Sequence, residues 1–296
     1  MVESEAKSYD YICIGAGSGS MGSGRRAALL GKKVLMIENR VIGGTCVNVG
    51  CVPKKVMFNL ANFLEEAQVI KEYGVRGTEG LKLDFAHFKA RRDFYVKRLN
   101  NIYDSNLANS GIDYLKGTAS FESDSVVVVQ GENGPERYTS EHILIASGSA
   151  PEPGVFEGSD LCWSSDDFFT MEQLPERMVV IGGGYIGVEL AQILHALGVK
   201  VTLVVRSIIL RFLDRDVVDI LLGNMRHSGL DVRLDSPHKR VFKNDDNSLS
   251  LELNNGEIIT AEHVLVALGR PPNVAPLNLQ NTSVELVKGA VKVDEF

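Results

Sequence analysis

Two of the four cysteines in this 296-residue chain, Cys46 and Cys51, stand five residues apart in Gly43-Gly44-Thr45-Cys46-Val47-Asn48-Val49-Gly50-Cys51-Val52-Pro53-Lys54-Lys55. The spacing admits two core cysteines, half of a zinc site or a redox pair. Zinc is disfavoured, because only Cys13 and Cys162 remain and neither offers paired ligand spacing. Pro53 reads as the first residue of a helix, where its missing N–H costs nothing. Residues 56–68 extend that helix, with Val56, Leu60, Phe63, Leu64 and Ala67 near one face. Cys51 is then expected near the positive end of a helix dipole, which favours thiolate over thiol. The surrounding glycines let backbone approach a flat ligand closely.

The elements around this stretch favour the redox reading. Residues 9–14 form an apolar strand that runs into Gly15-Ala16-Gly17-Ser18-Gly19-Ser20. A helix follows to Leu30, and then a strand over 33–37 that ends on Glu38. This is a βαβ dinucleotide-binding opening: glycines pass the pyrophosphate, the helix N-terminus holds it, and Glu38 accepts from a ribose. Ser20 occupies the third glycine position, so helix–strand packing there is expected to be looser. A long charged helix over 88–109 carries Tyr95 and Tyr103, and short strands fill 112–145 before a turn at Ser147-Gly148-Ser149. Pro151, Pro153 and Gly154 mark a domain boundary.

The design then recurs. A strand over 178–181 meets Gly182-Gly183-Gly184-Tyr185-Ile186-Gly187, a helix spans 188–197, and a strand over 199–205 ends on Arg206, with Arg211 close behind. An acid there would repel a 2′-phosphate, whereas arginine binds it with charge-assisted bonds. The first half thus suits FAD or NAD and the second suits NADP. From Asp231 the chain reads as a strand meander, closed by a strand over 263–268 and the turn Gly269-Arg270-Pro271-Pro272. The predicted fold class is α/β, with two Rossmann-like three-layer nucleotide-binding domains, each with a β-meander. The expected domains are 1–150 for FAD, 151–275 for NADPH and 276–296 as the start of a return to the first.

A net charge of −7 and no basic cluster beyond short pairs argue against nucleic acid as a partner. No apolar run reaches the ~20 residues of a membrane span, and the acidic N-terminus shows no signal peptide. The expectation is a soluble cytoplasmic protein, in which a cysteine pair belongs to redox or metal chemistry rather than stapling.

The motifs GAGSGS, GGTCVNVGCVPKK, ILIASGS, GGGYIGVEL and VALGRPPN occur in order across 9–296. Together they resemble the FAD-dependent pyridine nucleotide–disulfide oxidoreductases, and among them the glutathione-reducing branch. The resemblance implies NADPH-dependent reduction of glutathione disulfide through FAD and a Cys46–Cys51 disulfide. Cys46 would be the thiol that attacks substrate, and Cys51 the one that exchanges electrons with the flavin. Lys54 would sit near the flavin in a buried pair with Glu189, and Tyr185 would gate the nicotinamide pocket. Gly15, Gly17, Ser18, Gly19, Glu38, Thr45 and Gly148 would hold FAD. Gly182, Gly184, Gly187, Arg206, Arg211 and Gly269 would hold NADPH.

The same resemblance bears on substrate. Gly22 and Arg25 occupy positions where relatives acting on cationic trypanothione carry an acid and a tryptophan; Arg25 suits glutathione carboxylates. Tyr95 and Tyr103 match a helix whose tyrosines line the glutathione site. The alternatives are a thioredoxin- or trypanothione-type reductase, or a non-catalytic fragment that binds the two nucleotides. Two departures stand out. The step from Arg206 to Arg211 is one residue shorter than the family usually shows. The family also continues with a flavin segment, and with a dimer-interface domain that donates a histidine–glutamate pair to the partner of a homodimer. The chain is therefore expected to be truncated, poor in FAD binding and inactive alone. Its six histidines fall at positions the family does not use, and no metal is implied.

Overall fold

The computed structural model describes residues 6–78 and 80–295; most of the acid-bearing N-terminus and the terminal Phe296 of Val-Asp-Glu-Phe lie outside them. Two compact units form, one from residues up to 52, 93–150 and from 271 on, the other from 53–92 and 151–270.

In the first unit, β1 (Lys7–Ile14), α1 (Ser18–Leu29) and β2 (Val34–Glu38) form the expected βαβ opening. Every residue of β2 is buried, as a strand covered on both faces requires. The short α2 (Gly44–Asn48) carries Cys46, and α3 (Cys51–Ile70) begins on Cys51. Pro53 is therefore the third residue of α3 rather than the first, still within the turn whose N–H groups lack helical partners. Nor is the buried face of α3 the expected one: Pro53, Met57 and Ala61 are buried at intervals of four, while Phe63 is 68% exposed. Next comes α4 (Phe85–Asn109), then β3 (Asp113–Lys116), β4 (Thr118–Ser123), β5 (Val126–Gly131) and β6 (Gly134–Ile145).

These six strands make one sheet, in the order β3-β2-β1-β6-β5-β4. Where short strands were expected to fill 112–145, the last twelve residues of that stretch form one long strand, β6. Its first half pairs antiparallel with β5 and its second half parallel with β1, from Lys7 against Tyr138 to Ile14 against Ile145. Meander and parallel layer are thus one surface. Ile12, Leu35, Ile37, Phe121 and Val127 share one cluster on it, into which Leu277 and Leu279 pack.

The second unit contains the later parts of α3 and the first turns of α4, then α5 (Ser165–Thr170), β7 (Arg177–Ile181), α6 (Tyr185–Ala196), β8 (Lys200–Val204) and α7 (Arg215–His227). There follow β9 (Asp231–Arg233), β10 (His238–Lys243), β11 (Leu249–Leu253), β12 (Ile258–Ala261) and β13 (His263–Val266). Here the layers are separate: a parallel sheet β13-β7-β8-β9 and an antiparallel sheet β10-β11-β12. The segment from Asp231, expected to open the meander, instead pairs parallel with β8. The α7 and α5 helices were not expected. Their caps are legible in hindsight: the Asp214 side chain accepts from Asp216 and Val217, and Ser164 with Asp167 forms a capping box. After the last closing strand, a two-residue hairpin pairs Leu286 with Val291.

Leu203 is fully buried in β8, the strand that delivers Arg206. Leu203→Ala should cost the second unit about 2–5 kcal/mol, by lost transfer energy and a residual cavity. A lowered urea midpoint for that unit's unfolding is the measurement.

Candidate active site and nucleotide-binding turns

The turn at Gly15–Gly17 leaves β1 and enters α1, whose cap residue Gly17 offers no side chain and whose first turn holds no acid. The contrast with the capped α5 and α7 is direct: this helix start is left open, an arrangement that suits an anion. Ser18 and Gly19 belong to that first turn. The Glu38 carboxylate is buried; one oxygen accepts from Ala16 N–H at 2.8 Å and the other from Arg40 N–H at 2.8 Å. Two backbone bonds fix its orientation, and a carboxylate retains lone pairs for a ribose hydroxyl. Ser20, where looser packing was expected, is fully buried, and its hydroxyl donates to Gly15 C=O. The side chain ties the helix back to the turn. These groups fit an adenine dinucleotide phosphate at this end of the sheet.

The dithiol turn packs on the same place. A Cβ on Gly44 would lie 2.8 Å from Gly17 Cα, so only glycine lets α2 back onto the start of α1. Cys46 is thereby brought within hydrogen-bonding reach of both Cys51 and Ser18. Both cysteines are free thiols here. Thr45, beside Cys46, is exposed. Burial, with the neighbouring Cys51 adding to it, pushes the Cys46 thiol above its ordinary value, which Ser18 partly offsets.

Sequence reading missed the groups that hold α2. Asn100 of α4, 5% exposed, donates to Ile42 C=O at 2.9 Å and to Asn48 Oδ1 at 3.0 Å; Asn48 donates to Gly44 C=O at 2.9 Å. A buried amide network of this kind fixes the backbone around Cys46. Asn100 inside α4, where asparagine is a poor helix former, was the available signal.

On the far side of α1, a groove of about 500 Å³ is lined by Met21, Gly22, Arg25, Leu29, Tyr103 and Asn106. Arg25 leans on Ser110, Nε to Oγ 3.4 Å. The structure thus joins Gly22, Arg25 and Tyr103. Tyr95 stands on α4 outside this groove, 43% exposed.

In the second unit, Gly182 follows β7, Gly184 caps α6 without a side chain, and Tyr185 opens α6 at 64% exposed. Gly187 packs where a Cβ would meet Gly182 C=O at 2.2 Å. Again the helix start carries no acid, which suits a pyrophosphate. Lys54 Nζ meets both Glu189 carboxylate oxygens at 2.8 Å. The pair expected to be buried is half-exposed, 22% at Lys54 and 40% at Glu189, so it contributes on the order of 1 kcal/mol or less. Arg206 is exposed one residue beyond the buried Val205, and Arg211 donates to Ser207 Oγ at 2.9 Å. Arg211 thus folds back to the residue next to Arg206. Burial, with Arg206 adding to it, lowers the nearby His238, which adds no charge at neutral pH. Gly148 and Gly269 close their respective units; their carbonyls accept from Asn273 at 2.9 Å and from Glu152 at 3.0 Å. Among the described residues no group of three or more His, Cys, Asp or Glu could hold a metal, and no helix is long and apolar enough to cross a membrane.

In reduced protein, iodoacetamide should modify Cys46 slowly near neutral pH, because its thiol lies above the ordinary 9.0. The rate should climb as pH rises past that value. Cys51→Ser removes the partner that raises it and should speed modification of Cys46 near neutral pH, read by mass spectrometry.

Comparison with known proteins agrees with this geometry. The model of the pyridine nucleotide-disulphide oxidoreductases matches residues 9–296. A glutathione reductase of Yarrowia lipolytica is 39% identical over 97% of this chain, and one of Schizosaccharomyces pombe is 36% identical over 98%. The chain spans 64% of the length of each. Among solved structures, a Cu(II) complex of the HOCl-induced flavoprotein disulfide reductase RclA from Escherichia coli superposes with a TM-score of 0.85 at 27% identity, over 97% of this chain and 63% of that one. With two uncapped dinucleotide turns, a dithiol packed on the first of them and a family match along almost its whole length, the chain belongs to the pyridine nucleotide-disulphide oxidoreductase family.

Proposed function

We propose that the chain carries the cofactor and dithiol machinery of an NADPH-dependent glutathione-disulfide reductase. The observation that carries this reading is Cys46 held against Cys51 and Ser18, at the open start of the first dinucleotide helix. The division of labour assigns residues 1–150 to FAD and 151–275 to NADPH, with 276–296 returning to the first; Arg206 and Arg211 choose the phosphorylated dinucleotide. FAD, when bound, supplies a two-electron relay between NADPH and the sulfur pair.

The protein's own groups do the rest. Two electrons and two protons convert the Cys46–Cys51 disulfide to a dithiol. Cys46 thiolate attacks one sulfur of the substrate disulfide, forming a mixed disulfide and expelling one thiolate, which takes up a proton. Cys51 thiolate then attacks the Cys46 sulfur, releasing the second thiol and restoring the disulfide. Lys54, oriented by Glu189, places a positive charge one helical turn beyond Cys51. Tyr185, exposed at the first turn of α6, covers the nicotinamide. Arg25 and Tyr103, facing the groove beside α1, receive the glutathione carboxylates, and Tyr95 contacts substrate from an earlier turn of α4. The complete protein works as a homodimer in the cytoplasm.

Purified with excess FAD, the chain should show a weak flavin band; bleaching of that band by NADPH under anaerobic conditions, with two new titratable thiols, supports the catalytic reading. Cys46→Ser and Cys51→Ser should yield no such pair of thiols. A colourless protein that still binds NADPH would sink the catalytic reading and leave nucleotide binding alone. Arg25→Glu should weaken glutathione disulfide binding about tenfold, the worth of one lost charge-assisted contact, measured by titration against the reduced chain. Unchanged affinity would remove glutathione as the substrate of this groove.

A further inference from the structure

The segment that joins β8 to α7 is pinned to the second glycine turn. Leu210 N–H donates to Gly183 C=O at 2.7 Å, and Ile209 beside it is 1% exposed. Arg215, at the start of α7, donates to Ile209 C=O at 3.0 Å and to Leu210 C=O at 3.4 Å, so the segment is held from both sides. Leu210 adopts φ +46°, a left-handed conformation that a leucine enters only when its surroundings force it. The contact has no slack. A Cβ on Gly183 would lie 2.6 Å from Val205 Cγ1, 3.0 Å from Ile208 C=O oxygen and 3.3 Å from Ile209 Cα. Two of those neighbours are backbone of the very loop that carries Arg206 and Arg211.

Gly183 is neither an end of the fingerprint nor the cap of α6, so phosphate binding at the turn leaves its lack of a side chain unexplained. The loop explains it. The loop is drawn in against the turn by the Leu210 N–H bond to Gly183 C=O, and it reaches van der Waals contact only over a glycine. The drawn-in course is also what lets Arg211 reach back to Ser207, next to Arg206.

We propose that Gly183, through its contact with the left-handed Leu210, is the positioning residue that sets where Arg206 and Arg211 stand, and so governs discrimination between dinucleotides with and without a 2′-phosphate. This rests on the NADPH reading above. Neither Gly183 nor Leu210 touches the phosphate; both act through the loop.

Calorimetric titration of the purified chain with NADP+, NAD+ and 2′-AMP tests it. The unaltered chain must first prefer NADP+ to NAD+; no preference there defeats the NADPH reading before any variant is made. Given that preference, Gly183→Ala should weaken NADP+ and 2′-AMP about tenfold, the size of one misplaced charge-assisted bond, while NAD+ changes by less than about twofold. Leu210→Pro, which removes the N–H and cannot take a positive φ, should act in the same direction. Retained NAD+ binding shows that each variant is folded. An unchanged NADP+ to NAD+ ratio overturns the proposal, and so does equal loss of both nucleotides, which would make Gly183 a folding residue only.

Discussion

The chemistry of the first unit depends on one contact, the approach of Gly44 to the backbone of Gly17. Nothing larger than hydrogen on Gly44 permits it, since the next atom would sit 2.8 Å from Gly17 Cα. The contact lays the sulfur-bearing α2 on the open start of α1, so that Cys46 and the uncapped helix start share one location. The amides of Asn48 and Asn100 then lock α2 from behind through carbonyls at Ile42 and Gly44. Side chains that would pack well elsewhere are excluded here by geometry, and polar groups that would be costly elsewhere are fully partnered.

The two glycine turns solve one problem in different ways. Both present a helix start with no side-chain cap and no acid, in a protein whose α5 and α7 are capped by Ser164 and Asp214. The first turn tolerates Ser20 in place of its last glycine because the hydroxyl returns to Gly15 C=O instead of merely filling space. The second keeps Gly187, whose added carbon would strike Gly182 C=O at 2.2 Å. Loss of a glycine is absorbed where the new side chain can satisfy a carbonyl.

Charge is used sparingly in a chain that is net negative. Glu38 is immobilised by two backbone N–H groups, a cheaper way to hold a buried carboxylate than an ion pair that must also be desolvated. Lys54 and Glu189 remain half in water, so their pairing orients Lys54 more than it stabilises the fold. Arg206 and Arg211 stay exposed, the state in which two like charges tolerate one another.

The sequence by itself determined the two βαβ openings, the acid at the end of one second strand and the arginine at the end of the other, and the placement of Cys46 and Cys51 beside a helix start. Glycine spacing, hydrophobic runs and the charge at a strand end are local properties, and local sterics enforce them. Tertiary structure decided the rest. How far β6 runs, whether β9 joins the parallel sheet or the meander, and which face of α3 is buried depend on partners far along the chain, so periodicity misplaced them. The roles of Asn100, Ser20 and Gly183 were hidden for the same reason: each is defined by an atom of another segment, a carbonyl at Ile42, Gly15 or Ile208, that folding alone brings within a few ångströms.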